Sequence, residues 1–154
     1  MNKFMKIAIE EAEIGIHSGH GGPFGAVIVK NGEIIGKGHN HVVINNDPTC
    51  HAEIDAIRCA GANINNFDLS GCDIYTTGEP CPMCLSAILW ANINHIYYGC
   101  SIAENKMIGF RDEAFYDYLS ISKNKIQDKM TQIDHKECLK LFIDYTKIKD
   151  KVNY

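Results

Sequence analysis

Apolar residues recur at helical spacing along residues 2–18. Phe4, Ile7, Ala8, Glu11, Ala12 and Ile14 fall on one face, and the run stops at Ser18-Gly19-His20-Gly21-Gly22. The pattern then changes. Residues 24–30 are small and β-branched, which predicts a strand, and Asn31-Gly32 supplies a turn whose central positions accept positive φ. From Ile34 the chain returns as the second strand of a hairpin. A helix is predicted over roughly 51–61, after Pro48 and Thr49, with Ala52, Ile54, Ala56, Ile57 and Ala60 as its apolar side. A short strand over 72–77, a helix over 82–91 with Pro82 in its first turn, and a strand over 95–99 follow. Beyond that the periodicity loosens: 112–120 predicts a helix, 129–134 a fifth strand, and 136–148 a closing helix around Leu139, Phe142 and Ile143. A hairpin followed by strands alternating with helices predicts an α/β protein. The expected architecture is a three-layer α/β/α sandwich on a mixed five-stranded sheet, built as a single domain of residues 1–154.

Composition narrows the class. A chain of 154 residues with 45% hydrophobic and 22% charged residues can bury a core holding ~70% of its unfolded surface. No apolar stretch approaches the ~20 residues that span a bilayer, and the opening MNKFMKIAIEEAE carries acids where a signal peptide has none. A cytoplasmic protein with no membrane partner is expected. Seven irregularly spaced cysteines then point to thiols and a metal instead of a disulfide framework.

The net charge is −4, and it is unevenly spread. Residues 1–122 hold 7 basic and 14 acidic residues, whereas 123–154 hold 8 lysines against 5 acids. A tRNA or duplex binder needs a basic face with arginines that fork onto phosphate, and this chain has only Arg58 and Arg111. The lysines near the end are interrupted by acids, as on a solvated helix face. Nucleic acid is not an expected partner.

The chemistry gathers at two helix starts. One opens with His51-Ala52-Glu53, the other with Cys81-Pro82-Met83-Cys84. A Cys-x-x-Cys pair alone has three readings: half a structural zinc finger, a redox dithiol, or two ligands of a catalytic zinc. Cysteines at i and i+3 share one face of a helical turn, and a helix N-terminus favours thiolate. A histidine from the neighbouring helix start completes three N/S ligands, leaving the fourth tetrahedral position of a catalytic zinc for water. Glu53, in the first turn beside His51, can take a proton from that water and deliver it to a substrate nitrogen. A redox pair needs neither His51 nor Glu53, and a closed structural site needs a fourth ligand that Cys50 and Cys72 are badly placed to give. Cys59, Cys100 and Cys138 are expected as small core residues. His17, His20, His39, His41, His95 and His135 have no comparable spacing and are expected as surface or loop histidines. H-x-E with P-C-x-x-C is the pattern of zinc deaminases.

The order PFGAVIV (23–29), GHN (38–40), NDPTCHAEIDAIR (46–58) and EPCPMCLSAILWA (79–91) resembles the cytidine-deaminase-like superfamily nearly end to end. Within it the likeness is to the small bacterial guanine deaminases, through GFRDEAFY (109–116) and the closing Val152-Asn153-Tyr154. The resemblance implies one Zn2+ held by His51, Cys81 and Cys84, with Glu53 as proton shuttle and Asp112 grouped with it as catalytic. Asn40 and the Ala52 backbone N–H would bond the base, and Phe24 and Trp90 would wall the ring. Asp112 would face the purine's amino side, and Tyr154 would close the pocket. A homodimer with exchanged C-terminal segments is implied, so Tyr154 would serve its partner's site. Cys50 departs from the family pattern, where a small apolar residue is usual. The implied reaction is hydrolytic deamination of guanine to xanthine. Cytosine or nucleoside deamination, tRNA adenosine editing and a zinc-stabilised binding module are the alternatives.

Overall fold

The computed structural model describes residues 1–120 and, singly, His135 and Leu139. The expected strand over 129–134, the helix over 136–148, Cys138 and Tyr154 lie outside the described residues. The chain divides into two compact units, Met1–Tyr116 and Asp117–Tyr154.

Helix α1 (Lys3–His17) starts at Asn2, whose side chain accepts from the backbone N–H groups of Phe4 and Met5. Strands β1 (Gly25–Lys30) and β2 (Glu33–His39) form the expected hairpin, with Asn31 and Gly32 at φ 53° and 81° in its two-residue turn. The four residues of α2 (Val42–Asn45) follow, then α3 (Ala52–Ile64), β3 (Cys72–Gly78), α4 (Pro82–Trp90) and β4 (His95–Cys100). Two short helices complete the described part, α5 (Ile102–Met107) and α6 (Asp112–Ser120). The one-turn α2 is too short to show a period. α5 announces itself differently, through a capping box between Ser101 and Glu104.

Among the described residues the sheet has four strands in the order β2-β1-β3-β4. β1 runs antiparallel to both neighbours, and β3 and β4 are parallel, so the sheet is mixed. Alternation along the strands divides the core. Val27, Val29 and Tyr75 pack with Ala8, Phe4 and Ile7 of α1 on one face. Ala26, Ile28 and Ile74 pack on the other with Ala52, Ala56 and Ala60 of α3 and Ile88 of α4. These are the three layers expected from the pattern.

Close approach sets where the helices sit. A Cβ at Gly36 would lie 2.6 Å from the Ala56 carbonyl oxygen, and one at Gly38 would lie 2.6 Å from Asp55. Bare backbone on β2 thus lets α3 settle onto the sheet and fixes the position of its N-terminus. Gly25 does the same for α1, since a Cβ there would stand 2.0 Å from the Ala8 carbonyl oxygen and 2.7 Å from the Ala12 nitrogen. Gly25→Ala is therefore expected to lower stability by about 1–3 kcal/mol, because backbone cannot rotate aside as a side chain can. Urea denaturation measures it, and an unchanged midpoint would contradict the close packing of α1.

Cys100 corrects one sequence expectation. It is exposed at the end of β4, which has a neighbour on one side only among the described strands. Cys59 is half-buried on α3 and not a full core residue.

Candidate active site

His51 and Cys81 occupy equivalent places, each in extended backbone at the N-cap of a helix. An N-cap side chain ordinarily accepts from the helix's first N–H groups, but neither of these makes a capping hydrogen bond. They turn to each other instead. His51 Nδ1 is 3.6 Å from Cys81 Sγ and 3.5 Å from Cys84 Sγ. Both cysteines are buried. The three form one of two groups among the described residues whose donor atoms converge closely enough to hold a metal ion.

The chemistry of the donor set fits zinc. The Cys81 thiol is drawn down to about 4, first by the hydrogen bond from Cys84 and further by His51, against burial. Cys84 keeps the shared proton and is pushed up by the same bond. His51 is raised above its ordinary value by its bond to Cys81. A dication that replaces the shared proton meets two sulfurs and one imidazole nitrogen already gathered, a three-ligand set of the catalytic kind.

Glu53 sits two residues into the same turn and is 5% exposed. Burial pushes its carboxyl up to about 7, so both protonation states lie within reach at neutral pH. A small, partly open cleft brings Glu53, His51 and Cys81 together with Phe24, Asn40 and Asp112. Asn40 is buried, and its Oδ1 accepts from the N–H groups of Gly22 (3.3 Å) and Val42 (3.1 Å). With its oxygen occupied by backbone, the amide offers Nδ2 as a donor to the cleft. Phe24 stands edge-on to Phe110, with ring centroids 4.7 Å apart. Ala52 is fully buried at the first position of α3.

Asp112 begins α6 and is held from behind. Asn105 Nδ2 donates to its Oδ2 at 3.2 Å and also lies 3.3 Å from the Glu79 carbonyl. Burial raises the Asp112 carboxyl above its ordinary value, with the Asn105 bond acting against it. Tyr116 O–H donates to the Pro80 carbonyl at 2.7 Å, tying the start of α6 to the loop that carries Cys81.

Trp90 is not brought to this cleft. It ends α4 with 67% of its surface exposed, and it is not among the cleft's lining residues. Ile88 and Cys84 carry the buried side of that helix, and a residue two positions past Ile88 lies about 200° around it. Three neighbours went unnoticed in the sequence: Glu79, Phe110 and the buried Asn105. Glu79 stands inside the EPCPMC stretch and Phe110 inside GFRDEAFY, so both were within motifs already singled out. Asn105 had no signal beyond its place in the α5 capping-box helix.

The profile of the cytidine and deoxycytidylate deaminase zinc-binding region matches residues 1–100. Guanine deaminase of Bacillus subtilis (strain 168) is 47% identical over 113 residues, 73% of this chain and 72% of that one. An X-ray structure of guanine deaminase from Bacillus subtilis superposes with a TM-score of 0.88 at 38% identity, covering 100% of this chain and 99% of the other. The tRNA-specific adenosine deaminase of Buchnera aphidicola subsp. Schizaphis graminum (strain Sg) is 38% identical over 146 residues, 95% of this chain and 93% of its own. The chain belongs to the cytidine and deoxycytidylate deaminase zinc-binding family. Its fold and its His/Cys/Cys group are those of a zinc-type deaminase, a hydrolase. No helix among the described residues is long and apolar enough to cross a membrane.

Proposed function

We propose that the protein deaminates guanine hydrolytically, giving xanthine and ammonia. The observation that carries the choice of base is the pairing of a carboxylate with an amide donor in one cleft. Guanine presents an amino group and a ring N–H side by side, both donors, and Asp112 offers two acceptor oxygens. Asn40 Nδ2 suits an acceptor elsewhere on the ring, and Phe24 covers its face. Cytosine, cytidine and adenosine lack that double-donor edge.

When bound by His51, Cys81 and Cys84, the zinc supplies a water whose pKa falls toward ~7. Glu53 would accept a proton from the attacking water, so that its oxygen can add to C2. The same carboxyl then protonates the ring nitrogen, takes a second proton from the hydroxyl now on C2 as it becomes the carbonyl, and hands that proton to the departing ammonia. Burial suits Glu53 to both directions of transfer, since its pKa near neutrality makes it a usable acid and base. Asp112, steadied by Asn105 and by the Tyr116 tie, holds the amino edge while the C–N bond breaks. The protein works as a cytoplasmic homodimer on a small-molecule base. The C-terminal segments cross between subunits, so that Tyr154 closes the partner's pocket.

Asp112→Ala is expected to lower kcat/KM for guanine by about 10²-fold or more while leaving zinc bound, since a charge-assisted contact to the reacting edge is lost. Deleting Tyr154 lowers turnover as well. Mixed with Asp112→Ala chains, the deletion variant regains activity, because one site of the mixed dimer holds both Asp112 and Tyr154. Near wild-type guanine turnover in Asp112→Ala would remove the purine reading and leave only the deaminase chemistry.

The similarity to tRNA adenosine deaminases over nearly the whole chain supports a second reading, editing of an RNA-borne adenosine. A net charge of −4 with two arginines is poorly suited to it, because RNA affinity comes largely from phosphate neutralisation.

A further inference from the structure

A second gathering of metal-binding side chains stands apart from the His51 group. His20, from the turn after α1, meets His39 at the end of β2 and His41 just beyond it, and one ring nitrogen of each lies within 4.8 Å of the others. The sequence expectation that these are separate surface or loop histidines is therefore corrected: His39 is 8% exposed, and His20 and His41 are half-buried. The chain makes room for them. A Cβ on Gly15 of α1 would come within 2.8 Å of the His39 ring.

Hydrogen bonds select which nitrogens remain as bases. His39 Nδ1–H donates to Glu11 Oε2 at 3.3 Å, and Lys37 Nζ, 2.6 Å from the other oxygen, keeps that carboxylate charged. His41 Nδ1–H donates to the His39 carbonyl at 2.9 Å, with Asp55 Oδ2 at 3.4 Å. Both rings are thus held in the tautomer that leaves Nε2 with a lone pair. A carboxylate or backbone carbonyl behind the far ring nitrogen is what commonly orients metal-ligating histidines. His20 Nδ1 lies 2.8 Å from His39 Nε2, with the two rings only 15° from coplanar. A single proton shared between those two nitrogens accounts for the contact, and a metal ion can replace that proton.

We propose that His20, His39 and His41 form a second metal site, taking a divalent late first-row transition ion such as Ni2+, Cu2+ or Zn2+. Three neutral imidazoles without a sulfur or a ligating carboxylate match that group of ions. Metal–nitrogen bonds of about 2.0–2.1 Å in a tetrahedron set ligand nitrogens about 3.3 Å apart, so the His20–His39 contact opens by roughly half an ångström. His20 supplies that movement. It sits between Gly19, at φ 68°, and Gly21-Gly22, and its proton moves to Nε2 as the ion takes Nδ1. The His41 ring, stacked on His39 with centroids 4.0 Å apart and planes 27° apart, must also turn to aim its Nε2 at the same ion. Lacking thiolate, the site binds more weakly than the His51 group and exchanges its ion. A bound ion would tie the turn after α1 to the end of β2. Those two segments carry Phe24 and Asn40 into the cleft.

The test is a calorimetric titration of the zinc-loaded protein with Ni2+, with both metals counted afterwards. One Ni2+ per chain is expected to bind while zinc stays at one per chain. His20→Gln and His41→Gln should each weaken Ni2+ binding at least ~10-fold without loss of zinc. Ni2+ should also raise Tm in the wild type and not in these variants, since it binds only the folded chain. A protein with Cys81 and Cys84 both changed to Ser should still take one Ni2+, which separates this site from the deaminase site. No Ni2+ uptake, uptake that both histidine substitutions leave unchanged, or uptake only by displacement of zinc would each overturn the proposal. The three rings would then be a hydrogen-bonded cluster and nothing more.

Discussion

Glu53→Gln is expected to keep its zinc and its fold and to lose about 10²–10⁴ in kcat, the range for a positioned general acid/base. Gln is nearly isosteric with Glu, so the packing around a side chain that is 5% exposed should survive. What disappears is the ability to take a proton and give it back. Burial has already raised the Glu53 carboxyl to about 7, and an amide in the same place has no titration to raise. KM should change little, because the loss falls on proton transfer and not on binding the base. The measurement is steady-state ammonia release by the variant, with zinc content determined on the same sample. Substantial residual turnover in zinc-replete protein would mean that another residue carries the protons, with Glu79 and Asp112 the other carboxyls that line the cleft.

Cys81→Ser and Cys84→Ser are each expected to abolish turnover by removing the metal. Metal analysis after passage through a weak chelator should give about one zinc per chain for the wild type and little for either variant. Serine oxygen is a poor substitute for thiolate with zinc, and the remaining pair of ligands no longer closes three corners of a tetrahedron. Stability should fall as well, because the helix starts of α3 and α4 are brought together by these side chains. Wild-type zinc content in both variants would sink the assignment of the site.

Much of this organisation was legible in the residues because the deaminase chemistry sits at helix starts, which local sequence marks well. Pro82 behind Cys81 and the apolar side of α3 behind His51 located both N-termini, and the Asn31-Gly32 turn set the hairpin that supports them. The layering followed from the succession of strands and helices along the chain, and neighbouring residues of β1 do face opposite helices. Other features depend on contacts between distant segments. His20 and His39 are nineteen residues apart and meet only because the hairpin returns β2 beside the end of α1. Asn105 matters through its bond to Asp112, seven positions on, across the turn between α5 and α6. Trp90 lies outside the cleft's lining, and the sequence had no means of showing that. The stretch 82–91 is apolar nearly all round, so periodicity cannot say which side faces the cleft. Cys100 was expected in the core because its sequence surroundings are apolar, yet Tyr97 and Tyr98 beside it are also substantially exposed.

The claim at the centre of this account is that the cleft beside His51, Cys81 and Cys84 is built for a free purine base bearing a 2-amino group. Ammonia release by zinc-replete protein, measured side by side on guanine, cytosine, cytidine, adenosine and a tRNA anticodon stem-loop, tests it most directly. Guanine should give the highest kcat/KM, with xanthine formed in step with ammonia and little dependence on salt. Faster deamination of the stem-loop, falling steeply as salt rises, or of cytosine, would contradict it.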